Sequence, residues 1–587
     1  MTNVDPITLQ VIGGALHTIA KEMGYVLYRM SYSSIIRESE DLGAGLFDRD
    51  FNTLCESDST PMHIGSIPGY LRGVERTMHG DWRPGDVVLH NHPYHGASHV
   101  PDICCIAPVF FERELVGYSA NTAHHVDLGA ASPGIVIDIP DVYAEGMLFS
   151  GIRLYEEGKL NRALWQHIQT NTRVPRDVSG DIEAQVASAE LGVRRFRELF
   201  ETYGKATVQA ATAELMDYSE RMLRRRIREI PDGDYVAEGF LDDDGVDRET
   251  RLPVKVTVSI KDDSAVVDTT GSSPQVPTAY NVPFEGSTKV TCYFAFRALL
   301  LDTYTTSEYI PQNEGSFRPI EVISPAGSIF NPTFPAACQS RFSQCQRLVD
   351  LISAALAPVI PDKVTAGCGA TLSAFAYSGV RPGGDYWILV EINESAYGGR
   401  PASDGPDSID ELMRNTRNNP IEDLGMHLPL ICDRYELRDD VPPGAGRYRG
   451  GLGIVKVQRF LTPGYVVHEA DRHEDVPWGF LGGEPGTVGK LEQWNAAAPG
   501  EVVSWPAKVP ATPTETGDCI AVYTPGGGGY GDPLERPADQ VRDDVADGYY
   551  SLTHAYDAYG VVMNEALSVD LPATEVRRAE LRAAAAE

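Results

Sequence analysis

The chain has 587 residues, of which 42% are hydrophobic and 23% charged, as expected of a globular protein with several cores. Its formal net charge of −33 argues against binding nucleic acid or an anionic membrane, because both partners require basic surfaces. No apolar run approaches the roughly 18 residues of a membrane span, and the opening residues lack the features of a secretory signal. We therefore expect a cytoplasmic protein. Nine scattered cysteines without a Cys-x-x-Cys pair indicate reduced thiols.

The first 230 residues are predicted to combine helices with a β-rich segment. Asp5 can cap, and Pro6 can open, a long helix over residues 5–30, whose apolar side chains recur at helical spacing. From about 43 to 155, short β-like runs alternate with glycine and proline turns, and a second helical region follows over 160–230. The arginine run in that region is interpreted as a solvated face or an interface, because the chain is acidic overall.

The rest of the chain mixes both element types. The predicted elements are a hairpin from 254–260 and 265–270, helices near 288–302 and 343–358, strands at 386–392 and 519–523, and a helical tail over 537–587. The predicted fold class is α+β (mixed α/β) and multidomain, with a long N-terminal helix and β-rich middle regions. The expected domains are an N-terminal metal-site domain with helical segments over 1–230, a mixed α/β substrate and interface region over 231–535, and a C-terminal helical tail over 536–587.

Histidines concentrate between residues 90 and 125, a stretch that holds six of the fourteen in the chain. His99 and Asp102 stand three apart with Pro101 between them, which favours a turn presenting both side chains to one point. His124 or His125 would supply a further nitrogen. Two neutral imidazoles and a carboxylate suit a catalytic Zn²⁺, or Mn²⁺ or Fe²⁺ with added waters. A metal-free polar network is the alternative.

Carboxylates near the end of the first helix extend this cluster. Asp41 could complete the metal shell, and it follows Glu38 and Glu40 in an acidic run. Acidic residues at a helix C-terminus oppose the helix dipole, so metal coordination or general-base duty would explain their presence. The polar stretches 394–405 and 415–422 are predicted as ordered loops that either line a substrate pocket or lie on the surface.

A glycine-rich segment at 526–531 formally matches the Gly-x-Gly-x-x-Gly pattern of dinucleotide sites. Asp532 and Pro533 follow at once and no βαβ unit continues from it, so a tightly turned or mobile glycine loop near the active site is favoured. The sequence contains no Gly-x-x-x-x-Gly-Lys-Ser/Thr and no Gly-x-Ser-x-Gly. We therefore expect neither phosphate-loop ATP hydrolysis nor a serine nucleophile in this chain.

Motifs spread from residue 37 to residue 533 resemble, in order, those of the hydantoinase B/oxoprolinase family. They are RESEDLG (37–43), GDVV (85–88), NHPYHG (91–96), HVPD (99–102), NTAHH (121–125), DTTGSS (268–273), GAGRYRGG (444–451) and TPGGGGYGDP (524–533). In the family's hydrolases, an A-type subunit uses ATP and Mg²⁺ to phosphorylate the oxygen of a cyclic amide, and the B-type subunit then opens the ring. The resemblance therefore implies the B-type role, within a hetero-oligomer that we expect to be (αβ)2.

The resemblance also assigns roles to residues. It maps the metal ligands onto His99, Asp102 and His124, with Asp41 as a fourth, and implies one divalent metal, with Zn²⁺ favoured and Mn²⁺ possible. The residues proposed for proton transfer or support of the metal ligands are Glu38, Glu40, His92, His95 and His125. Chain length favours a lactam or cyclic-imide hydrolase. The alternatives are a subunit of an ATP-dependent ketone carboxylase of the acetone or acetophenone type, and a non-catalytic scaffold whose metal staples loops.

Overall fold

The first helix, α1 (Pro6–Met30), begins where the sequence predicts. In the computed structural model, which describes residues 4–301 and 309–586, Oδ1 of Asp5 accepts hydrogen bonds from the backbone N–H of Ile7 and Thr8, each at 3.1 Å. This cap satisfies two of the donors that a helix start leaves free. Residues 1–3, 302–308 and 587 lie outside the description, and they include the final positions of the helices predicted over 288–302 and 537–587.

A seven-stranded antiparallel sheet follows, in the order β2-β1-β5-β4-β3-β6-β7. Its strands are β1 (Leu42–Asp48), β2 (Thr53–Glu56), β3 (Val87–His90), β4 (Asp102–Phe111), β5 (Glu114–His124), β6 (Ser150–Glu156) and β7 (Lys159–Leu160). The helices of this region are α2 (Ser34–Arg37), α3 (Pro61–Met78), α4 (Arg162–Thr170), α5 (Pro175–Tyr203) and α6 (Lys205–Ile227). These elements match the predicted β-rich and helical segments.

Both faces of the central strands of this sheet are buried, which explains the continuous apolar run along β4. Along β4, Cys104 and Ile106 pack with helix α3, whereas Ile103 and Cys105 pack in a core that includes α5. Side chains on a strand alternate between faces, so a sheet covered on both sides needs apolar residues at every position. The histidines are thereby displaced to the strand ends.

A second sheet has the order β11-β10-β9-β8 and includes the predicted hairpin. Its strands are β8 (Gly233–Leu241), β9 (Leu252–Lys261), β10 (Ser264–Asp268) and β11 (Ile320–Ile323). Strands β9 and β10 pair antiparallel, with Val258 opposite Val267. Helices α7 (Lys289–Leu300) and α8 (Phe342–Leu356) contribute to the same core, so the predictions near 288–302 and 343–358 agree with the structure over the described residues.

Two further antiparallel sheets pack on each other in the last third of the chain. The first, β13-β12-β16-β19, contains β12 (Ala374–Val380), β13 (Tyr386–Ile392), β16 (Gly464–Glu469) and β19 (Val509–Thr514). The second, β14-β15-β20-β17-β18, contains β14 (Leu430–Leu437), β15 (Ile454–Phe460), β17 (Lys490–Asn495), β18 (Ala498–Trp505) and β20 (Asp518–Tyr523). Aromatic side chains such as Phe375 and Phe460 share the core between them.

The remaining helices are α9 (Ile421–His427), α10 (Ala538–Ala546), α11 (Leu552–Asp557) and α12 (Leu571–Ala586). Over the residues that the structure describes, four sheets with helices distributed among them confirm the mixed α and β class, and α1 confirms the long N-terminal helix. The three domain boundaries stay a prediction. Across the described ranges 4–301 and 309–586, every helix is too short or too polar to cross a membrane.

The glycine-rich segment at 526–531 is a packing element. A Cβ added at Gly527 would overlap the carbonyl oxygen of Tyr397, and one added at Gly529 would overlap that of Ala445. The backbones of several loops meet here at distances that only glycine permits, which explains this composition. Among the described residues that line the cavity at the histidine cluster, no member of this segment occurs.

Candidate metal centre

Strand pairing and one local turn bring His99, Asp102 and His124 together. Val100 and Pro101 form the predicted turn, in which the Asp102 N–H donates to the carbonyl oxygen of His99 at 3.3 Å. Asp102 opens β4, and His124 closes the neighbouring β5 directly opposite it. Side chains of directly opposed residues on an antiparallel pair lie close together on one face.

The three side chains direct their polar atoms to one point. His99 Nε2 lies 2.8 Å from Asp102 Oδ1, and His124 Nδ1 lies 3.0 Å from the same oxygen. The two ring nitrogens are 3.2 Å apart. One donor atom from each residue falls within 4.8 Å of the others. His99 and Asp102 are buried, and the His124 side chain is 13% exposed. Two imidazole nitrogens and one carboxylate fit a divalent transition metal such as Zn²⁺ or Mn²⁺.

Asp41 stands beside this triad, held there by a histidine that sequence reasoning missed. His63 Nε2 is 2.9 Å from Asp41 Oδ1 and 3.9 Å from Asp102 Oδ1, while its Nδ1 is 3.0 Å from Thr122 Oγ1. The His124 N–H also donates to the Asp41 carbonyl at 3.2 Å. His63 lies in the first turn of α3, outside the dense histidine stretch, and only the packing of α3 against β1 and β5 brings it to the site.

The segment 339–341, which is distant in the sequence, holds His99 and Asp102 in orientation through hydrogen bonds. The carbonyl oxygen of Gln339 lies 2.8 Å from His99 Nδ1, and Arg341 Nη2 donates to Asp102 Oδ2 at 3.0 Å. Ser98 Oγ donates to the same carboxylate oxygen. Such outer contacts fix the tautomer of a ligating histidine and the orientation of a ligating carboxylate. Gln339 and Arg341 lie about 240 residues along the chain from His99, so the spacing of residues in the sequence could not predict these contacts.

The electrostatics favour neutral imidazole and ionised carboxylate. Burial and the Arg341 guanidinium lower the pKa of His99 to about 4, so this imidazole is neutral at pH 7. Burial opposes ionisation of Asp102, but its histidine neighbours and Arg341 outweigh this cost and hold its pKa well below the usual range. Both protonation states are those that metal coordination requires.

A cavity of about 50 Å³ adjoins the triad. Its apolar wall consists of Met62, Ile135, Phe342, Leu372, Ala374, Val390 and Ile392. Its polar wall consists of Asp41, Thr60, His63, His99, Asp102, His124, Gln339, Arg341, Arg414, Thr416 and Glu469. Each wall contains residues from both predicted regions of the chain, 1–230 and 231–535. Thr416 comes from the stretch 415–422, which is predicted either to line a substrate pocket or to lie on the surface.

The residues predicted for proton transfer occupy other environments. Glu38 accepts from Arg37 Nε at 2.7 Å, and Glu40 lies 2.8 Å from Arg417 Nη1. His125 Nε2 is 3.0 Å from Gln185 Oε1. The rings of His92 and His95 stack with their centroids 4.0 Å apart. None of Glu38, Glu40, His92, His95 and His125 is among the described residues that line the cavity.

Comparison with known proteins assigns the chain to a family. A family model described as hydantoinase B/oxoprolinase matches residues 5–533. This chain belongs to the hydantoinase B/oxoprolinase family. Its family relatives include a protein of Pseudomonas sp. (strain NS671) that is provisionally named as the B-type subunit of a D-/L-hydantoinase, is 44% identical over 590 residues and covers 98% of each chain. The beta chain of the caprolactamase of Pseudomonas jessenii is 30% identical over 593 residues, covering 99% of this chain and 100% of its own.

Two solved structures share the architecture of this chain. The crystal structure of ATP-dependent caprolactamase from Pseudomonas jessenii matches with a TM-score of 0.89 at 28% identity, covering 98% of this chain and 100% of that chain. A nucleotide-free structure of acetone carboxylase also matches with a TM-score of 0.89, at 19% identity, covering 98% of this chain and 83% of that one. The second likeness concerns the fold alone.

Proposed function

We propose that this chain is the metal-containing, ring-opening subunit of an ATP-dependent hydrolase for a cyclic amide, such as a lactam, a hydantoin or a 5-oxoproline-like ring. The observation that carries the proposal is the convergence of His99, Asp102 and His124 at a cavity with a largely apolar wall. Similarity to hydantoinase and caprolactamase subunits supports the reaction class. Ligand pockets typically combine such apolar walls with a few convergent polar groups.

One divalent cation is proposed at the triad, with Asp41 as a fourth ligand and with Zn²⁺ favoured over Mn²⁺. When bound, the cation supplies Lewis-acid activation of water and of a substrate oxygen at neutral pH. The chain's own residues prepare the site for it. The Gln339 carbonyl oxygen accepts a hydrogen bond from His99 Nδ1, which leaves His99 Nε2 directed at Asp102 and His124. The hydrogen bond from Arg341 keeps the Asp102 carboxylate oriented.

A separate ATP-using subunit completes the proposal, and we expect an (αβ)2 assembly in the cytoplasm. An unstrained amide resists hydrolysis because its nitrogen donates electrons into the carbonyl. Phosphorylation of the carbonyl oxygen, with ATP and Mg²⁺ in the partner, removes this protection and creates a leaving group. Both the hydantoinase and the caprolactamase relative are named as one subunit of a larger enzyme, which supports a partner for this chain.

Two of the predicted proton-transfer residues are proposed as positioning residues. Glu40 and His125 are chain neighbours of the proposed ligands Asp41 and His124, and both are themselves held by side chains of other segments. They would therefore act through those ligands. Glu38, His92 and His95 are assigned no step.

The reaction class is tested with the complex purified through an affinity tag on this chain. It is incubated with ATP, Mg²⁺, labelled bicarbonate and a panel of hydantoin, 5-oxoproline and caprolactam. A ring-opened product without label is the expected result. The acetone carboxylase fold keeps a ketone carboxylase as the second candidate, so acetone and acetophenone are assayed in parallel. Incorporation of label into a ketone-derived acid would overturn the hydrolase proposal. If the chain were a non-catalytic scaffold, removing its metal would lower stability without a specific chemical defect in the assembled complex.

A further inference from the structure

Glu469 forms part of the wall of the metal cavity, although no sequence motif singles it out. It is the last residue of β16 and is 3% exposed. In the sheet it pairs with Ala374 of β12, which lines the same cavity. The Glu469 side chain therefore shares this cavity with His99 and Asp102.

One oxygen of this carboxyl group is available to a ligand. Oε1 of Glu469 is buried and has no hydrogen-bond partner among the described residues. A buried acceptor without a partner is costly, and in a native protein it calls for an explanation such as a catalytic role. A nearby buried carboxylate behaves differently, because Glu391 accepts from Lys456 Nζ at 2.7 Å. The Ser340 hydroxyl and the Ser343 backbone N–H also face the Glu469 carboxyl group. This carboxyl group lines the cavity and keeps one acceptor atom, Oε1, that no described protein group satisfies.

The charges around Glu469 place its ionisation near neutrality. Burial raises its pKa to about 7, and the positive charges of Arg341 and Lys508 limit the rise. Two further titratable groups face it, and burial raises the pKa of the Cys345 thiol to about 11 and that of the Tyr280 hydroxyl well above its usual range. Both stay neutral at pH 7, so Glu469 is the group of this set that exchanges a proton there. A proton-transfer group works best at such a pKa.

We propose that Glu469 is a catalytic residue that delivers the proton to the ring nitrogen of the bound cyclic amide. The inference rests on the proposed function, because it requires a phosphorylated ring and a water molecule in the cavity. As the water oxygen bonds to the ring carbon, the π electrons of the C=N bond move onto nitrogen, and nitrogen takes the Glu469 proton. The resulting carboxylate takes a proton from the added water. One water molecule has then added across the C=N bond, and Glu469 is again an acid. The ring C–N bond of this adduct then breaks: its electron pair goes to nitrogen, which takes the Glu469 proton, while the hydroxyl oxygen forms a carbonyl and returns its proton to Glu469. The product is an open-chain amine with an acyl phosphate, which a further water molecule hydrolyses to a carboxylate and phosphate.

Glu145 offers a matched control elsewhere in the same region. It is 1% exposed, its Oε2 has no partner among the described residues, and burial raises its pKa to about 8. Its Oε1 accepts from the backbone N–H of Cys338, a bond that a glutamine oxygen can also accept. Glu145 is absent from the described residues that line the cavity. Glu145→Gln therefore makes the same chemical change at equal burial without touching the cavity.

The experiment compares Glu469→Gln, Glu469→Asp and Glu145→Gln in the purified complex, with ring opening measured from pH 6 to 9. Glu469→Gln should lower the rate of ring opening at pH 7 by about a hundredfold or more, while Glu145→Gln should stay close to wild type. Because the reacting form is the acid, the wild-type rate should fall with rising pH above about pH 7, and the residual rate of Glu469→Gln should not. Glu469→Asp, which keeps an acid, should recover part of the lost rate.

Three measurements separate a catalytic role of Glu469 from a structural one: metal content, unfolding in urea and the pH profile of ring opening. Metal content should be unchanged in all variants. Glutamine has no charge to bury, so at pH 8 Glu469→Gln should unfold at a urea concentration no lower than wild type. An active Glu469→Gln complex, an unchanged pH profile or loss of metal in that variant would each overturn the inference. A wild-type complex that opens no ring in the panel would instead contradict the proposed function itself.

Discussion

Two buried clusters of charged and polar side chains in this protein serve different ends. The metal centre gathers His99, Asp102 and His124 at a cavity. The second cluster, here called the Lys508 network, comprises Lys508, Asp471, Asp243, Arg347, Arg472, Asp350 and Asp475. In it the fully buried Lys508 Nζ lies 3.3 Å from Asp471 and 3.7 Å from Asp243.

The difference lies in what the charges face. In the Lys508 network every ammonium or guanidinium group meets carboxylates, and no member belongs to the described lining of the metal cavity. Buried charges that meet opposite charges tie segments of the chain together. At the metal centre, the neutral imidazole of His99, the imidazole of His124 and the ionised carboxylate of Asp102 direct their polar atoms to one point, an arrangement that only a cation or protons can satisfy. Burial of charge alone therefore does not mark function, whereas convergence of donor atoms at a cavity does.

Removing a ligand should give the largest effect. His99→Ala should lose the metal and lower ring opening by about a thousandfold or more, because several kcal/mol of metal assistance disappear. Elemental analysis and the ring-opening assay measure both outcomes, with circular dichroism to check the fold. His167→Ala, at an exposed histidine of α4, is the control and should keep its metal. A fully metallated, active His99→Ala protein would refute the ligand assignment.

Breaking the Lys508 network should lower stability without removing the metal. Lys508→Met leaves the buried carboxylates of Asp471 and Asp243 without their ammonium partner and should lower the free energy of unfolding by about 3–5 kcal/mol. Urea denaturation measures this, and metal content should not change. At the exposed Lys159, the same substitution should change the free energy of unfolding by less than about 0.5 kcal/mol. If Lys508→Met also lost its metal, the two clusters would be coupled and the contrast between them would fail.

Loosening the support of one ligand should give a smaller effect. Ser98→Ala removes a hydroxyl that donates to Asp102 Oδ2, and it should weaken metal binding by about tenfold. Competition with a chelator of known affinity measures the change. Ser353→Ala on α8, where the buried hydroxyl donates to the Val349 carbonyl, is the matched control and should bind metal as tightly as wild type. Equal affinities for Ser98→Ala and wild type would mean that Asp102 needs no such support.

The apolar wall should show the smallest effect. Val390→Ala enlarges the cavity by two methyl groups, and it should shift the ratio of kcat/KM between a larger and a smaller ring towards the larger one by less than about tenfold. Parallel assays of caprolactam and 5-oxoproline measure this ratio. Ile388→Val, on the same strand but outside the described lining, should leave it unchanged. A shift towards the smaller ring would contradict the assignment of this wall to substrate binding.

Local features of the sequence predicted the local parts of the site. The spacing of His99, Pro101 and Asp102 acts within one turn, so its outcome depends little on the rest of the fold. The histidine cluster left His124 and His125 open as the further nitrogen ligand and offered Asp41 as an additional ligand, and the family resemblance selected His124 and retained Asp41. The sequence did not indicate His63 and Glu469, because no motif surrounds either residue. Each belongs to the site only through contacts with residues that lie far away in the sequence.

The sequence by itself determined the helix starts, the paired strands and the turn that joins His99 to Asp102, because hydrogen-bond caps, side-chain periodicity and proline act over a few residues. Only the tertiary structure decided which carboxylates and cations meet. The pairing of β1 with β5 brings Asp41 beside His124, and Arg341 reaches Asp102 from 239 positions away. Such contacts depend on how whole sheets pack, and no local pattern encodes that packing.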